Sequence, residues 1–201
     1  MMRVARLDAS GVPRPGANNL YTSDALVSIQ FSWEVQAGDE ITENNGCGVQ
    51  FVNFKAPDTL RRGNVTIALV TPDPQLSEML SGGDVVTSGA AVGVSAPPLG
   101  ELLENPISVE IWAKRIRAGH LDPVYPYARW VYPWISNVRP DDHTQENAAL
   151  KPQFVGQAFE NLNWFNGPLN DWPVASDRVY QWLPVTSIPT AVCGYATIAA
   201  S

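Results

Sequence analysis

The clearest pattern in the chain lies in residues 26–35, where Val27, Ile29, Phe31, Trp33 and Val35 alternate with Ser28, Gln30, Ser32 and Glu34. Strict period-two alternation predicts a β-strand with one face in a core and the other in water. At strand rise it is about 33 Å long. Burying its five apolar side chains stabilises by roughly 7–15 kcal/mol, which is about what ordering the segment costs. The strand therefore needs a larger sheet around it.

Other segments supply that sheet. Residues 47–55 carry apolar side chains on both faces (Val49 and Phe51, then Val52 and Phe54), which predicts burial on both sides or a face that meets a partner. Residues 64–70 read as a strand. Residues 107–116 alternate again, with Ile107, Val109, Ile111 and Ala113 on one face. Residues 128–138 are strongly aromatic, and Pro133 within them predicts an edge or a bulge. Residues 153–161, 178–183 and 190–199 read as further strands, with weaker strand character at 85–86 and 91–94. Between the first two strands, residues 37–46 are polar and rich in Asn and Gly, which is turn chemistry.

One segment has helical period. In residues 71–83, Thr71 or Asp73 can cap, Pro74 suits the first turn, and Leu76, Met79 and Leu80 form an i, i+3, i+4 stripe. Gly82 or Gly83 can take the left-handed stop. The spacing predicts a short helix over about 74–81. Residues 1–23 show no sustained period between Gly11, Pro13, Pro15 and Gly16, and they read as an extended arm that either lies on a neighbour or is disordered. The expectation is one domain over 1–201. Its arm covers 1–23 and residues 24–199 form a mainly β fold, a β-sandwich or partial barrel with one flanking helix and extended terminal arms.

Composition narrows the function. Charged residues make up 16% of the chain, well below the roughly 25% typical of globular domains, so part of the surface is expected to be covered by other copies. The net charge is -7, with 13 basic against 20 acidic residues. That balance argues against specific nucleic-acid binding, which draws on clustered Lys and Arg. It suits a surface that lets a polyanion slide past. No run approaches the roughly 18–20 apolar residues of a membrane helix, and the N-terminus carries no apolar signal-peptide region. Cys47 and Cys193 are expected to be reduced and buried as small hydrophobes.

Candidate chemistry is sparse. The two histidines, His120 and His143, fall in different loops. No zinc, phosphate-loop, dinucleotide or nucleophile-elbow spacing occurs. Asp141, Asp142, His143 and Glu146 form the most acidic local cluster, but without EF-hand spacing, so a solvated loop is expected there. Ser77 and Ser81 have no base nearby in sequence. No enzyme activity, metal or cofactor is expected.

The seven tryptophans are the most unusual feature. Trp33 and Trp130 read as core. Trp164 and Trp172 lie in an aperiodic loop and need a surface to lie on, either their own domain or a neighbouring copy. An aromatic platform for sugar rings, as in a carbohydrate-binding module, is the alternative.

From Ala25 onward, GDEITENNG followed by VNFKAPDTLRRGNVTIALVTPDPQLSEMLSGG, and later YARWVYPW and NGPLNDWPVASDRVYQW, resemble the major tail tube proteins of siphophages that infect actinobacteria. The resemblance spans most of residues 25–183. It implies a tail-tube β-sandwich whose copies form rings, six to a ring, that stack into a tube through which DNA is ejected. The implied partners are other copies, the tape measure, the tail terminator and the tail tip. DNA would pass without specific binding and no membrane would be involved. The implied location is the virion tail, assembled in the bacterial cytoplasm. Candidate self-assembly surfaces are Asp39, Glu40, Glu43, Asn44 and Asn45 in the polar segment, together with Trp164 and Trp172.

Overall fold

The helix forms where its stripe and caps place it, as α1 (Pro74–Ser81). The Asp73 carboxylate accepts from the Leu76 N–H at 3.2 Å, and Pro74 occupies the first turn. Gly82 closes the helix at φ 71°, a backbone state that glycine enters without a Cβ clash, and its N–H donates to the Glu78 carbonyl. Leu76, Met79 and Leu80 are fully buried.

The structure is a computed structural model. It describes residues 1–201 apart from 49, 101–104, 143–149, 172–176, 191–192 and 199–201, and apart from the Phe51 side chain. Its strands, in chain order, are β1 (Met2–Arg6), β2 (Gly16–Ser23), β3 (Leu26–Gln36), β4 (Glu40–Asn44), β5 (Gln50–Lys55), β6 (Thr59–Leu69), β7 (Val85–Ser88) and β8 (Ala91–Val94). They continue as β9 (Ile107–Lys114), β10 (Ile116–Arg117), β11 (His120–Leu121), β12 (Tyr127–Pro140), β13 (Gln153–Ala158), β14 (Gln181–Val185) and β15 (Gly194–Ile198). The expected mainly β architecture with one short helix is thus what the chain adopts.

Nine strands form one antiparallel sheet in the order β15-β2-β1-β9-β12-β13-β6-β3, with β14 also on β12. β9 lies along one edge of β12. On the other edge β14 takes Tyr127 to Val131, and β13 takes the stretch from Ile135 to Pro140. Register shifts on either side of Ile135 mark bulges, which bend a strand and increase its twist. Pro133 falls in the first of these irregular stretches. Met2, Val4 and Tyr21, from near one end of the sheet, share a core with Val65, Ile67 and Leu69, from near the other, and with α1. The sheet therefore curls around that core. Its end strands β15 and β3 do not pair with each other, so the barrel stays open.

The N-terminal segment is not an arm. β1 lies between β2 and β9, and Met2, Val4, Ala5 and Leu7 are at most 1% exposed. A strand buried on both faces shows no alternation. Here the pattern is further disguised by Arg3, which is buried because it meets Glu110 directly across the β1–β9 ladder.

β3 also departs from expectation. It forms over the expected span, but as an edge strand. Ile29 and Phe31 are only half-buried, while Val27, Trp33 and Val35 are 58%, 40% and 51% exposed. Val27 falls at a register shift between Leu26 and Ser28, and toward Val35 the reason is the strand's length. β13 ends at Ala158, level with Gly63 on β6 and Trp33 on β3, and the β3–β6 ladder runs on past that point without β13 beside it.

On the outer face of the sheet, Arg3, Glu110, Trp112 and Arg129 form a block across β1, β9 and β12. Arg3 Nη2 lies 2.7 Å from Glu110 Oε2, and Arg129 Nε lies 2.9 Å from the same oxygen. Both guanidinium groups sit 5.1 Å from the Trp112 ring, within cation–π range. Asp171 closes the block, 2.9 Å from Arg129 and 3.3 Å from Arg3. Burial alone would raise the Asp171 carboxyl, but the hydrogen bond from Arg129 and the charges of both arginines hold it below the ordinary carboxylate range.

Candidate self-assembly surfaces

Where β3 and β6 outrun β13, they lead into the β4–β5 hairpin, and the four strands make a projecting arm. Across β4–β5, Ile41 faces Phe54 and Glu43 faces Val52, while Glu40 faces Lys55 and Thr42 faces Asn53. Period-two geometry puts Ile41, Val52 and Phe54 on one face with Glu43, and the polar pairs on the other. The apolar face is uncovered. Ile41 is 52% exposed and Phe54 57%, and at the arm's base Leu60 is 61% exposed. A lone two-stranded hairpin is marginal in water.

The arm's bend is held by polar contacts. Gly38 N–H donates to Asp58 at 3.0 Å, and Lys55 Nζ lies 3.2 Å from the same carboxylate. The Gly38 hydrogen bond first, and then Lys55, lower the Asp58 carboxyl. At the tip the Asn45 carbonyl and side chain accept from Gly48 and Cys47, an Asx-type turn.

Of the candidate surface residues, Asp39, Glu40, Glu43, Asn44 and Asn45 all lie exposed on this arm. The structure brings these five together. Trp164 is elsewhere and is only 1% exposed, packed on Val131 and Leu183 from the outer face of the sheet. Its own domain, rather than a free surface, takes up the ring. Asn161 sets this up by donating to the carbonyls of Gly11 and Pro133 at 2.8 and 3.0 Å, which pins the loop at its start. Trp172, His143 and Glu146 lie outside the described residues. Cys47 and Cys193 are both exposed free thiols, contrary to the expected burial. Cys47 sits at the arm tip and Cys193 just ahead of the edge strand β15, where neither has a core to enter.

Sequence reasoning missed an aromatic row. Trp130 stacks on Trp182 at 5.7 Å, Tyr180 lies 5.7 Å from Trp130, and Trp33 lies 6.3 Å from Tyr180. Its end members, Trp33 and Trp182, are 40% and 47% exposed, so Trp33 is not the core residue its strand pattern suggests. A groove of about 580 Å³ opens beside Trp33 and Leu60, with Arg61, Arg178 and Glu160 on its walls. The cross-strand placement of Trp130 opposite Trp182 was the available signal, but it depends on register and not on local pattern.

Among the described residues no three or more His, Cys, Asp or Glu side chains converge as a metal site. Ser81 Oγ donates to the Ser77 backbone carbonyl inside α1, and both serines are buried in the helix. None of the described helices is long and apolar enough to cross a membrane.

No protein-family model and no curated protein matches the chain. Among solved structures, the chain overlaps a sheath–tube complex of an extracellular contractile injection system (PVC) in its extended state, at 12% identity and TM-score 0.33, covering 92% of this chain and 88% of that one. It overlaps the tail of an empty GTA particle at 10% identity and TM-score 0.31, covering 78% and 89%. The tube-terminating cap of the anti-feeding prophage overlaps at 16% identity and TM-score 0.28, covering 92% and 88%. Values this low fix neither family nor function.

Proposed function

We propose that the chain is a tail tube subunit of a siphophage of actinobacteria. Copies join edge to edge into rings of six, and rings stack into the tube through which DNA is ejected. It works as a virion scaffold and not as an enzyme, assembling in the host cytoplasm beside a tape measure, a terminator and tip proteins. The observation that carries this reading is the projecting arm. Val35, Ile41, Phe54 and Leu60 are each more than half exposed on it, and each is worth about 1 kcal/mol when its remaining surface is covered. Long exposed hairpins with an apolar face are aggregation sites unless a specific partner covers them. The open ends of the sheet, β3 and β15, support the same reading, because a closed ring of copies pairs edges that a monomer leaves bare. The excess of acid over base suits a lumen that repels phosphate, an effect screened beyond about 8 Å at physiological salt.

The test is a chain carrying Ile41→Asp and Phe54→Asp. Both side chains are exposed, so the fold and its circular dichroism should stay near those of the parent. Loss of apolar burial and the new carboxylates should raise the concentration needed for assembly at least about 100-fold, read by sedimentation velocity. Unchanged assembly would remove the arm from the interface. A sugar-binding reading draws on the exposed rings of Trp33 and Trp182. It expects a monomer whose tryptophan fluorescence responds to glycans.

A further inference from the structure

We propose that Asn45, at the tip of the arm, is a self-modification site, where the side-chain amide cyclises onto the Gly46 nitrogen and opens to isoaspartate and aspartate. The ring that forms has five members: the Gly46 nitrogen and the carbonyl carbon, Cα, Cβ and Cγ of Asn45. It closes most readily when the following residue is glycine, which is conformationally free and has no Cβ beside the attacking nitrogen. The chain contains two Asn-Gly pairs, Asn45-Gly46 and Asn166-Gly167, and both asparagines are exposed. The sequence does not separate them, but the structure does.

At the arm tip the attacking nitrogen is not held. The Gly46 N–H has no acceptor among the described residues, and a Cβ placed on Gly46 would meet no atom within 4 Å. Cys47 N–H donates to Asn45 Oδ1 at 3.0 Å, in an Asx turn that folds the side-chain amide back over the Gly46 peptide. The same hydrogen bond is aimed at the oxygen that gains negative charge when the nitrogen attacks Cγ. At the second pair these groups are engaged elsewhere. Gly167 N–H donates to the Trp164 carbonyl at 2.9 Å, and Asn166 Nδ2 donates to Asn170 Oδ1 at 2.7 Å. Gly167 also packs so closely on Trp164 that a Cβ there would lie 2.7 Å from the ring.

The reaction needs only water. The Gly46 nitrogen gives its proton to solvent hydroxide and bonds to Cγ, the Cγ–Nδ2 bond breaks, and ammonia leaves. Water then adds to the cyclic imide. Cleavage at the main-chain carbonyl gives isoaspartate, and cleavage at Cγ gives aspartate. Either product adds a negative charge to an arm that already carries Asp39, Glu40 and Glu43. Isoaspartate also lengthens the main chain by one methylene inside the turn that Asn45 and Gly48 close. A copy that waits long before assembling therefore presents a changed arm. That consequence, unlike the chemistry, rests on the self-assembly reading.

The test incubates the parent chain in mildly alkaline buffer and digests samples at acid pH. Peptides are then resolved by mass and by labelling with an isoaspartyl methyltransferase. Asn45 should convert at least about tenfold faster than Asn166, because the Gly167 nitrogen must first leave its hydrogen bond. Equal rates, or an Asn45 that persists, overturn the proposal. In guanidinium the contrast should vanish, and a contrast that survives there overturns selection by the structure. Gly46→Ala should keep the fold, since its Cβ enters open space, and should slow conversion at Asn45 at least about tenfold. An unchanged rate overturns the route through the Gly46 nitrogen. At equal concentration, aged parent should assemble less than aged Gly46→Ala. Conversion with undiminished assembly removes the consequence and leaves the modification site in place. Fresh parent that sediments as a monomer at every concentration fails the self-assembly reading, while the peptide rates still decide the chemistry.

Discussion

A chain lacking residues 1–23 is expected not to fold. It should show no cooperative thermal transition and a far-ultraviolet circular dichroism spectrum of disordered chain. The deletion removes β1 from between β2 and β9, and β2 with it, so β15 loses the strand it pairs with among the described residues. It takes away Met2, Val4, Leu7, Leu20 and Tyr21, each at most 6% exposed. Their burial stabilises by roughly 7–15 kcal/mol, as much as the whole stability of a typical domain. It also leaves Glu110 without Arg3. A cooperative transition in the truncated chain would contradict the placement of β1 and restore the reading of these residues as a detachable arm.

Glu110→Gln should be the most damaging single substitution that preserves shape. The carboxylate is 1% exposed and sits between two guanidinium groups that are 4% and 8% exposed. Removing its charge leaves two buried cations sharing Asp171, whose side chain is 39% exposed. Breaking a buried ion network in this way costs about 3–5 kcal/mol, or roughly 6–20 °C in Tm for a chain of this size. Asp171→Asn should cost much less, because solvent already screens that group. Its pH signature has a definite sign. A carboxyl held below its ordinary range contributes stability that is present above the unfolded-state value and lost as pH falls through the folded-state value. Thermal stability of the parent should therefore be flat from neutrality to about pH 5 and fall below about pH 4. In the Asn variant that acid fall should be shallower. A Glu110→Gln chain as stable as its parent would mean that the block is solvated.

Local signals and non-local ones separate cleanly in this chain. α1 was legible because everything that makes it is local: Asp73 caps, Pro74 starts, the Leu76–Met79–Leu80 stripe buries and Gly82 stops. β9 and β13 were legible for the same reason. β1 was not, because the feature that lets Arg3 lie in the interior is Glu110, which is 107 positions away. In β3 the alternation correctly gave a strand, but not the strand's place in the sheet. Whether Trp33 and Val35 meet a core depends on where β13 stops, and residues 26–35 contain no information about that. The polar segment at 39–45 was legible as an exposed feature. The arm that carries it was not, since its apolar strip combines Val35 and Ile41 from one side with Phe54 and Leu60 from the other. Trp164 lacked any periodic context. Its burial follows from the Asn161 amide, which ties its loop to Gly11 and Pro133.

The central claim is that copies of this chain assemble with one another into a tube. The most direct measurement is negative-stain electron microscopy of the concentrated, untagged protein, with its mass distribution recorded on the same sample. The account predicts rings, and with rising concentration stacked rings or hollow tubes, with a mass distribution extending well beyond 21.9 kDa. A single species at 21.9 kDa with no rings in the images, held up to the solubility limit, would contradict it.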